Sequence, residues 1–191
     1  MKIIFASNNA NKLAEIQAAF GNAFQLVSLN DIGFTGEIPE TGATLEANAL
    51  QKARYIFDRF KMPVFADDSG LEVESLNGEP GVDTAHYSGS RDAVANMNKV
   101  LSGLNDKANR KAKFRTVIAF IESDNEMLFQ GEVLGSISIE MKGDQGFGYD
   151  PIFIPENENR AFAEMSKSEK AAQSHRIRAL EKFVYYLKST Y

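Results

Sequence analysis

The sequence predicts a mixed α/β protein, and three features of its patterning carry that reading. Strand-length apolar runs alternate with helically spaced stretches in the first half of the chain, the middle is rich in β-forming residues, and the last stretch is helical again. A hydrophobic content of 43% over 191 residues suffices for one generous core or two tightly joined lobes. No repeat, low-complexity tract or Pro/Ser-rich linker interrupts the sequence, so one domain over residues 1–191 is expected.

Lys2 to Ala6 reads as a buried strand, and Leu13, Ile16 and Phe20 recur at helical spacing in a segment that starts at Asn11 or Lys12. Gln25 to Ser28 is a second short strand, followed by a polar loop from Asn30 to Thr44 that is expected to be mobile. Ala49, Ala53, Ile56, Phe57 and Phe60 share one face of a helix over Leu45 to Phe60, with Thr44 suited to cap it. Pro63 to Ala66 is strand-like and is expected to end in a turn, Asp67-Asp68-Ser69-Gly70; Leu71 to Leu76 then alternates up to Asn77-Gly78. Val94, Met97, Val100, Leu101 and Leu104 mark a third helix. Lys113 to Glu122 and Met127 to Glu140 are β-rich around a turn at Ser123 to Glu126, and Ile152 to Ile154 is a short strand. The capping-box pattern Ser166-x-x-Glu169 opens a C-terminal helical region with Ile177, Leu180, Val184 and Leu187 as its buried stripe.

Composition narrows the function. A formal net charge of -5 argues against a general nucleic-acid binder while leaving room for a local basic pocket. With no cysteine there is no disulfide framework and no thiolate metal site, so a metal would be held by oxygen or the two histidines, which points to a hard cation such as Mg2+. The apolar run at the start is too short for a signal peptide or a membrane span, and a cytoplasmic address is expected.

Four residue groups carry chemistry. Ser7, Asn8, Asn9, Ala10, Asn11 and Lys12 join a strand to a helix, where backbone amides, the helix dipole and the Lys12 charge favour a phosphate; alone, they also describe an ordinary polar loop. Asp67, Asp68, Ser69 and Gly70, joined by Glu40, offer carboxylates to a divalent cation and to an attacking water, or else a solvated turn. Gly146 to Pro151 frames Phe147 between glycines, leaving a face for a flat ring, with Asp150 as an acceptor for ring N–H groups; the alternative is a tight turn with core aromatics. Lys170 with Ser174, His175 and Arg176 gathers donors near the start of the last helix or at a break in it, for a phosphate and for a carbonyl on a base. Lys52 on the second helix is a further candidate for the phosphate.

Taken together, these residues resemble the Ham1-like inosine triphosphate pyrophosphatases, enzymes of non-standard purine nucleotides. The likeness runs the length of the chain, through S-N-N-x-x-K, P-E-T-G, N-A-x-x-K-A, A-D-D-S-G-L, G-x-P-G, Y-S-G, G-F-G-Y-D-P-x-F and E-K-x-x-x-S-H-R-x-x-A-L in order. The resemblance implies an elongated mixed sheet flanked by helices, two lobes with a nucleotide cleft between them, and a cytosolic homodimer. It implies hydrolysis of ITP, dITP or XTP to monophosphate and pyrophosphate with Mg2+. Carried over, Ser7 to Lys12 cradle the phosphates with Lys52 and Lys170, Glu40 and Asp68 bind the metal, and Asp68 is the proton acceptor. Ser69 touches substrate, Phe147 stacks on the base beside Gly148, Tyr149 and Asp150, and His175 and Arg176 read the 6-oxo edge. Two positions depart: Ala47 replaces a common glutamate, and His86 an arginine. A pyrophosphatase of modified pyrimidine or standard nucleotides, and a nucleotide sensor without turnover, are the alternatives.

Overall fold

The computed structural model describes residues 1–9, 12–13, 16–17, 20 and 24–191. Strands are β1 Lys2–Phe5, β2 Gln25–Val27, β3 Val64–Val73, β4 Lys111–Glu122, β5 Asn125–Ile137 and β6 Phe153–Pro155, in one mixed sheet of order β2-β1-β3-β4-β5-β6. The helices with defined bounds are α1 Leu45–Phe60, α2 Ala93–Gly103, α3 Lys167–Gln173 and α4 His175–Thr190. Lys12, Leu13, Ile16, Gln17 and Phe20 are also helical. Ala10 and Asn11, both expected at the phosphates, lie outside the described residues.

The chain forms two compact units: Met1–Asp68, Thr116–Gly131 and Arg176–Tyr191 in one, Ser69–Arg115 and Glu132–His175 in the other. In the first unit β1 pairs in parallel with β2 and with β3, in the register Ile4↔Val64 and Phe5↔Phe65. Strands covered on both faces need continuous apolar runs, which is why Ile3, Ile4 and Phe5 are all fully buried. One core of this unit gathers Phe5, Ile16, Phe20, Phe65, Phe120, Leu180, Phe183 and Leu187. The core of the second unit gathers Leu71, Val100, Phe114, Ile137, Tyr149, Ile152, Phe153 and Phe162.

Helix α1 has the expected bounds and cap, although Phe57 and Phe60 of its expected apolar face are only half-buried. Thr44 is extended and its hydroxyl accepts from the Ala47 amide at 3.1 Å, satisfying one of the orphan donors of the first turn. Ala49, Ala53 and Ile56 are buried, and Lys61 in the left-handed conformation closes the helix. The Ser166–Glu169 capping box also forms, starting α3. Ser166, through its hydroxyl and amide, and Arg160 beside it hold the Glu169 carboxyl down at about 2.

Several expectations are corrected. Asp67 to Gly70 is no turn: β3 runs unbroken from Val64 to Val73 and gives way to a 3-10 turn at Glu74–Leu76. The turn tendency of Asp-Asp-Ser-Gly is overridden because both carboxylates find cations where they stand. Val94 is 54% exposed and leaves the α2 stripe, while Asp92 caps that helix by accepting from the Ala95 amide at 2.8 Å. Strand β5 starts earlier than expected and stops at Ile137, where Arg110 takes the carbonyls of Ile137 and Ser138 at 2.7 and 2.6 Å. The expected strand at Ile152 is a 3-10 turn over Asp150–Ile152, and β6 begins at Phe153. In α4 the buried stripe is Ala179, Leu180, Phe183 and Leu187, with Ile177 and Val184 only half-buried.

Replacing Thr44 with alanine is expected to cost about 1 kcal/mol in urea denaturation, the usual worth of a lost N-cap. Because the folded-state value of Glu169 is depressed, its contribution is present above the ordinary glutamate range and is lost as pH falls toward about 2. The Glu169→Gln variant should therefore lose that part of the acid dependence of the melting temperature.

Candidate active site

In the first unit the site begins where β1 ends. The Ser7 amide bonds back to the Phe5 carbonyl, the Asn9 amide to the Ser7 hydroxyl at 3.2 Å, and the Lys12 amide to the Asn9 side chain at 3.2 Å. The Leu13 amide reaches the Asn9 carbonyl at 3.0 Å, so Asn9 caps the helical residues that follow. The expectation of open amides through this stretch is thus corrected for Ser7, Asn9 and Lys12. Lys12 sends its ammonium to Asp67, 2.8 Å away.

Side chains alternate across a strand, so consecutive residues of β3 serve opposite faces. Asp67, with no side-chain exposure, shares its face with Phe65 and meets Lys12 and the Arg176 guanidinium, the latter at 3.5 Å. Asp68 meets α1 on the other face: Oδ1 lies 3.0 Å from the Lys52 ammonium, and Oδ2 accepts from the Asn48 side-chain Nδ2 at 3.2 Å. Glu40 approaches the same Lys52 ammonium at 3.2 Å.

These contacts push the neighbouring carboxyls apart. Burial would raise Asp67, but Lys12, then Arg176 and Lys52, hold it well below the usual carboxylate range. Burial does raise Asp68 above the ordinary aspartate value, although Lys52 pulls the other way. Burial works against the Lys52 charge as well, yet Asp68, Asp67 and Glu40 carry it above the ordinary lysine value. Lys12 falls below that value through burial, with Lys52 and Arg176 adding to the effect and Asp67 opposing it.

The sequence reading missed Asn48 and Gln51 as site residues. Asn48 is 3% exposed, and its side-chain oxygen accepts from the Gly42 amide at 2.7 Å while its nitrogen holds Asp68. Gln51 accepts from the Thr41 amide at 2.8 Å and donates to the Thr41 hydroxyl at 2.9 Å. Together they fasten the Glu40 loop to α1. A Cβ on Gly42 would meet the Ala47 methyl at 2.7 Å and the Asn48 oxygen at 2.8 Å, so this close approach requires glycine. The signal in the sequence was a polar residue on the apolar face of α1, four positions before Lys52.

Glu40 and Asp68 fit a divalent cation by one observation: both already converge on a single positive charge, the Lys52 ammonium. Among the described residues no group of three or more His, Cys, Asp or Glu side chains is placed to hold a metal. Two carboxylates match Mg2+, which leaves its remaining positions to water and phosphate oxygens.

In the second unit Phe147 is half-buried. Its amide donates to Asp150 Oδ2 at 2.7 Å, and the Lys170 ammonium sits 2.6 Å from that oxygen and 4.6 Å from the Phe147 ring centre. Gly146, at φ 79°, has no room for a Cβ beside the Asp150 carboxylate. Asp150 is 3% exposed and spends this oxygen on its own loop, and Lys170 is tied to Asp150. Tyr149 is also buried, with its hydroxyl donating to the Thr84 carbonyl at 2.9 Å, so its side chain supports the loop from the core. Ser69 and Gly148 are half-buried. His175 follows the break at Ser174 and stacks on Phe114 at 4.8 Å. His86 is exposed and accepts from the Arg91 guanidinium at 2.8 Å.

Comparison with known proteins places this geometry. The sequence profile of the Ham1 family matches residues 3–186. A dITP/XTP pyrophosphatase of Flavobacterium psychrophilum is 46% identical over 190 residues, which cover 99% of this chain and 100% of that protein. The solved structure of the Staphylococcus aureus Ham1 protein superposes with a TM-score of 0.93 at 35% identity, covering 100% of both chains. That of a HAM1 protein from Coxiella burnetii gives 0.94 at 36% identity, again over 100% of both.

Truncating Asn48 to alanine should cost about 1–3 kcal/mol, because the Gly42 amide and Asp68 each lose a buried partner. Lys52→Met should cost about 3 kcal/mol by leaving Asp68 without its cation. Urea denaturation of both variants measures this, and a change under about 0.5 kcal/mol in either contradicts the packing described.

Proposed function

The chain belongs to the Ham1 family, and from that membership we propose that it hydrolyses non-standard purine nucleoside triphosphates, ITP, dITP or XTP, to the monophosphate and pyrophosphate. The observation that carries this reading is the convergence of Glu40 and Asp68 on a single positive charge, the Lys52 ammonium. Glu40 and Asp68 would hold Mg2+. The ion supplies charge neutralisation and Lewis acidity to the triphosphate when bound.

Asp68 accepts the proton of the water that attacks the α-phosphorus. Burial raises its carboxyl above the ordinary aspartate value, which makes it a stronger base for that task. Lys52 and Lys12 neutralise charge that develops on the departing pyrophosphate. Ser7, Asn8 and Asn9, with Ala10 and Asn11, line the phosphates, and Ser69 touches the substrate.

Phe147 stacks on the purine, with Gly148 beside it. Asp150 holds the Phe147 backbone in place, and Lys170 meets that carboxylate from α3. His175 and Arg176 donate to the 6-oxo group, and adenine, with an amino group there, leaves such donors unpaired. The active form is proposed to be a cytoplasmic homodimer. No helix among the described residues is long and apolar enough to cross a membrane.

Incubating the protein with ITP and Mg2+ should yield IMP and pyrophosphate, whereas inosine diphosphate with orthophosphate would refute the assigned bond. Chelating the metal should abolish turnover. Asp68→Asn should lower kcat by about 100-fold or more, the usual worth of a general base, and an unchanged kcat removes this residue from the mechanism.

A further inference from the structure

The proposed reaction leaves one buried charge without a task. Asp67 has no exposed side chain, sits in the middle of a ten-residue strand and lies one residue from the proton acceptor. Its Oδ2 receives the Lys12 ammonium at 2.8 Å and the Arg176 guanidinium, through Nε, at 3.5 Å. The two cations come from opposite ends of the sequence, one following β1 and the other in the first turn of α4. Their side chains are 15% and 4% exposed, so neither charge is fully solvated.

On the functional reading above, Lys12 serves the phosphates and Arg176 the purine. Resting on that reading, we infer that Asp67 is a positioning residue that couples recognition of the two ends of the nucleotide by holding Lys12 and Arg176 through one carboxylate oxygen. An aspartate has only two side-chain torsions, and the strand that carries it is hydrogen-bonded between β1 and β4. Its oxygen is therefore a fixed point from which both longer side chains are aimed. One anion shared by two cations also makes their grips interdependent. When phosphate draws the charge of Lys12, the attraction of Asp67 falls more fully on Arg176, and a purine carbonyl engaging Arg176 has the reciprocal effect on Lys12.

The coupling has a consequence that independent side chains do not share: removing the group at one end alters recognition at the other. The test uses the full chain with Mg2+, measuring kcat/KM for ITP and ATP and the inhibition constant of inorganic tripolyphosphate, which has no base. Lys12→Met should change the preference for ITP over ATP by about three-fold or more although Lys12 serves the phosphates. Arg176→Gln should change tripolyphosphate inhibition by about three-fold or more although that inhibitor has no purine. Asp67→Asn should move both quantities, and its effects should be non-additive with those of Lys12→Met. A merely structural Asp67 would reduce the amount of active enzyme and leave both ratios in place.

If Asp67→Asn does not fold, the two cross-effects decide without it. For a variant too slow to assay, calorimetric affinities for ITP, ATP and tripolyphosphate give the same ratios. A parent protein that turns over ITP but shows neither cross-effect in its variants overturns the coupling and leaves the proposed reaction standing. A parent that releases no pyrophosphate from ITP overturns the reaction and the coupling with it.

Discussion

Two neighbouring carboxylates buried in the middle of a strand are the constraint on which the rest of the first unit depends. Taking an ion out of water costs several kcal/mol unless a partner compensates it, and consecutive strand residues face opposite sides. Asp67 and Asp68 thus take their nearest cations separately. The fold meets the need twice, with Lys12 and Arg176 on one side of β3 and Lys52 on the other. The strand itself is held by ordinary means, apolar residues on both sides of Phe65 and parallel pairing to β1. What is unusual is where the charges stand within it.

The helices were legible because their signals are local. Thr44, the apolar positions of α1 and the Ser166–Glu169 box each act within one or two turns, so their spacing alone fixed them. The break in β3 expected at Asp67 was wrong because the turn preference of Asp-Asp-Ser-Gly is also local, while the cations that override it arrive from residues 12, 52 and 176. The end of β5 was misplaced for a similar reason: Arg110, some 27 positions away, takes the carbonyls that a longer ladder would use.

The candidate site divides along the same line. The residue types at Glu40 and Asp68 announced cation chemistry and that at Lys52 a partner for phosphate, and the structure brings those three together. Asn48 escaped notice because a polar residue on an apolar helix face carries no sign of what it will hold. Tyr149 and Asp150 looked like groups for a base but turn inward, where they brace the loop that presents Phe147. On the proposed reading, in which Phe147 stacks on the purine, these inward-facing groups have a clear use. A ring that stacks on a purine must be held at a set angle before the purine arrives, and a buried carboxylate bonded to the backbone amide of that residue does so at little entropic cost.

The separate roles of Asp67 and Asp68 depend on the electrostatic difference between them. A pH titration of the metal-free protein, following the carboxyl carbons of Asp67 and Asp68 by 13C NMR, reads it directly. Asp67 should remain ionised well below the ordinary aspartate range, while Asp68 takes up its proton above that range. If the two titrate together at the ordinary value, the cations do not compensate the buried strand as described, and the division of labour between the two residues is contradicted.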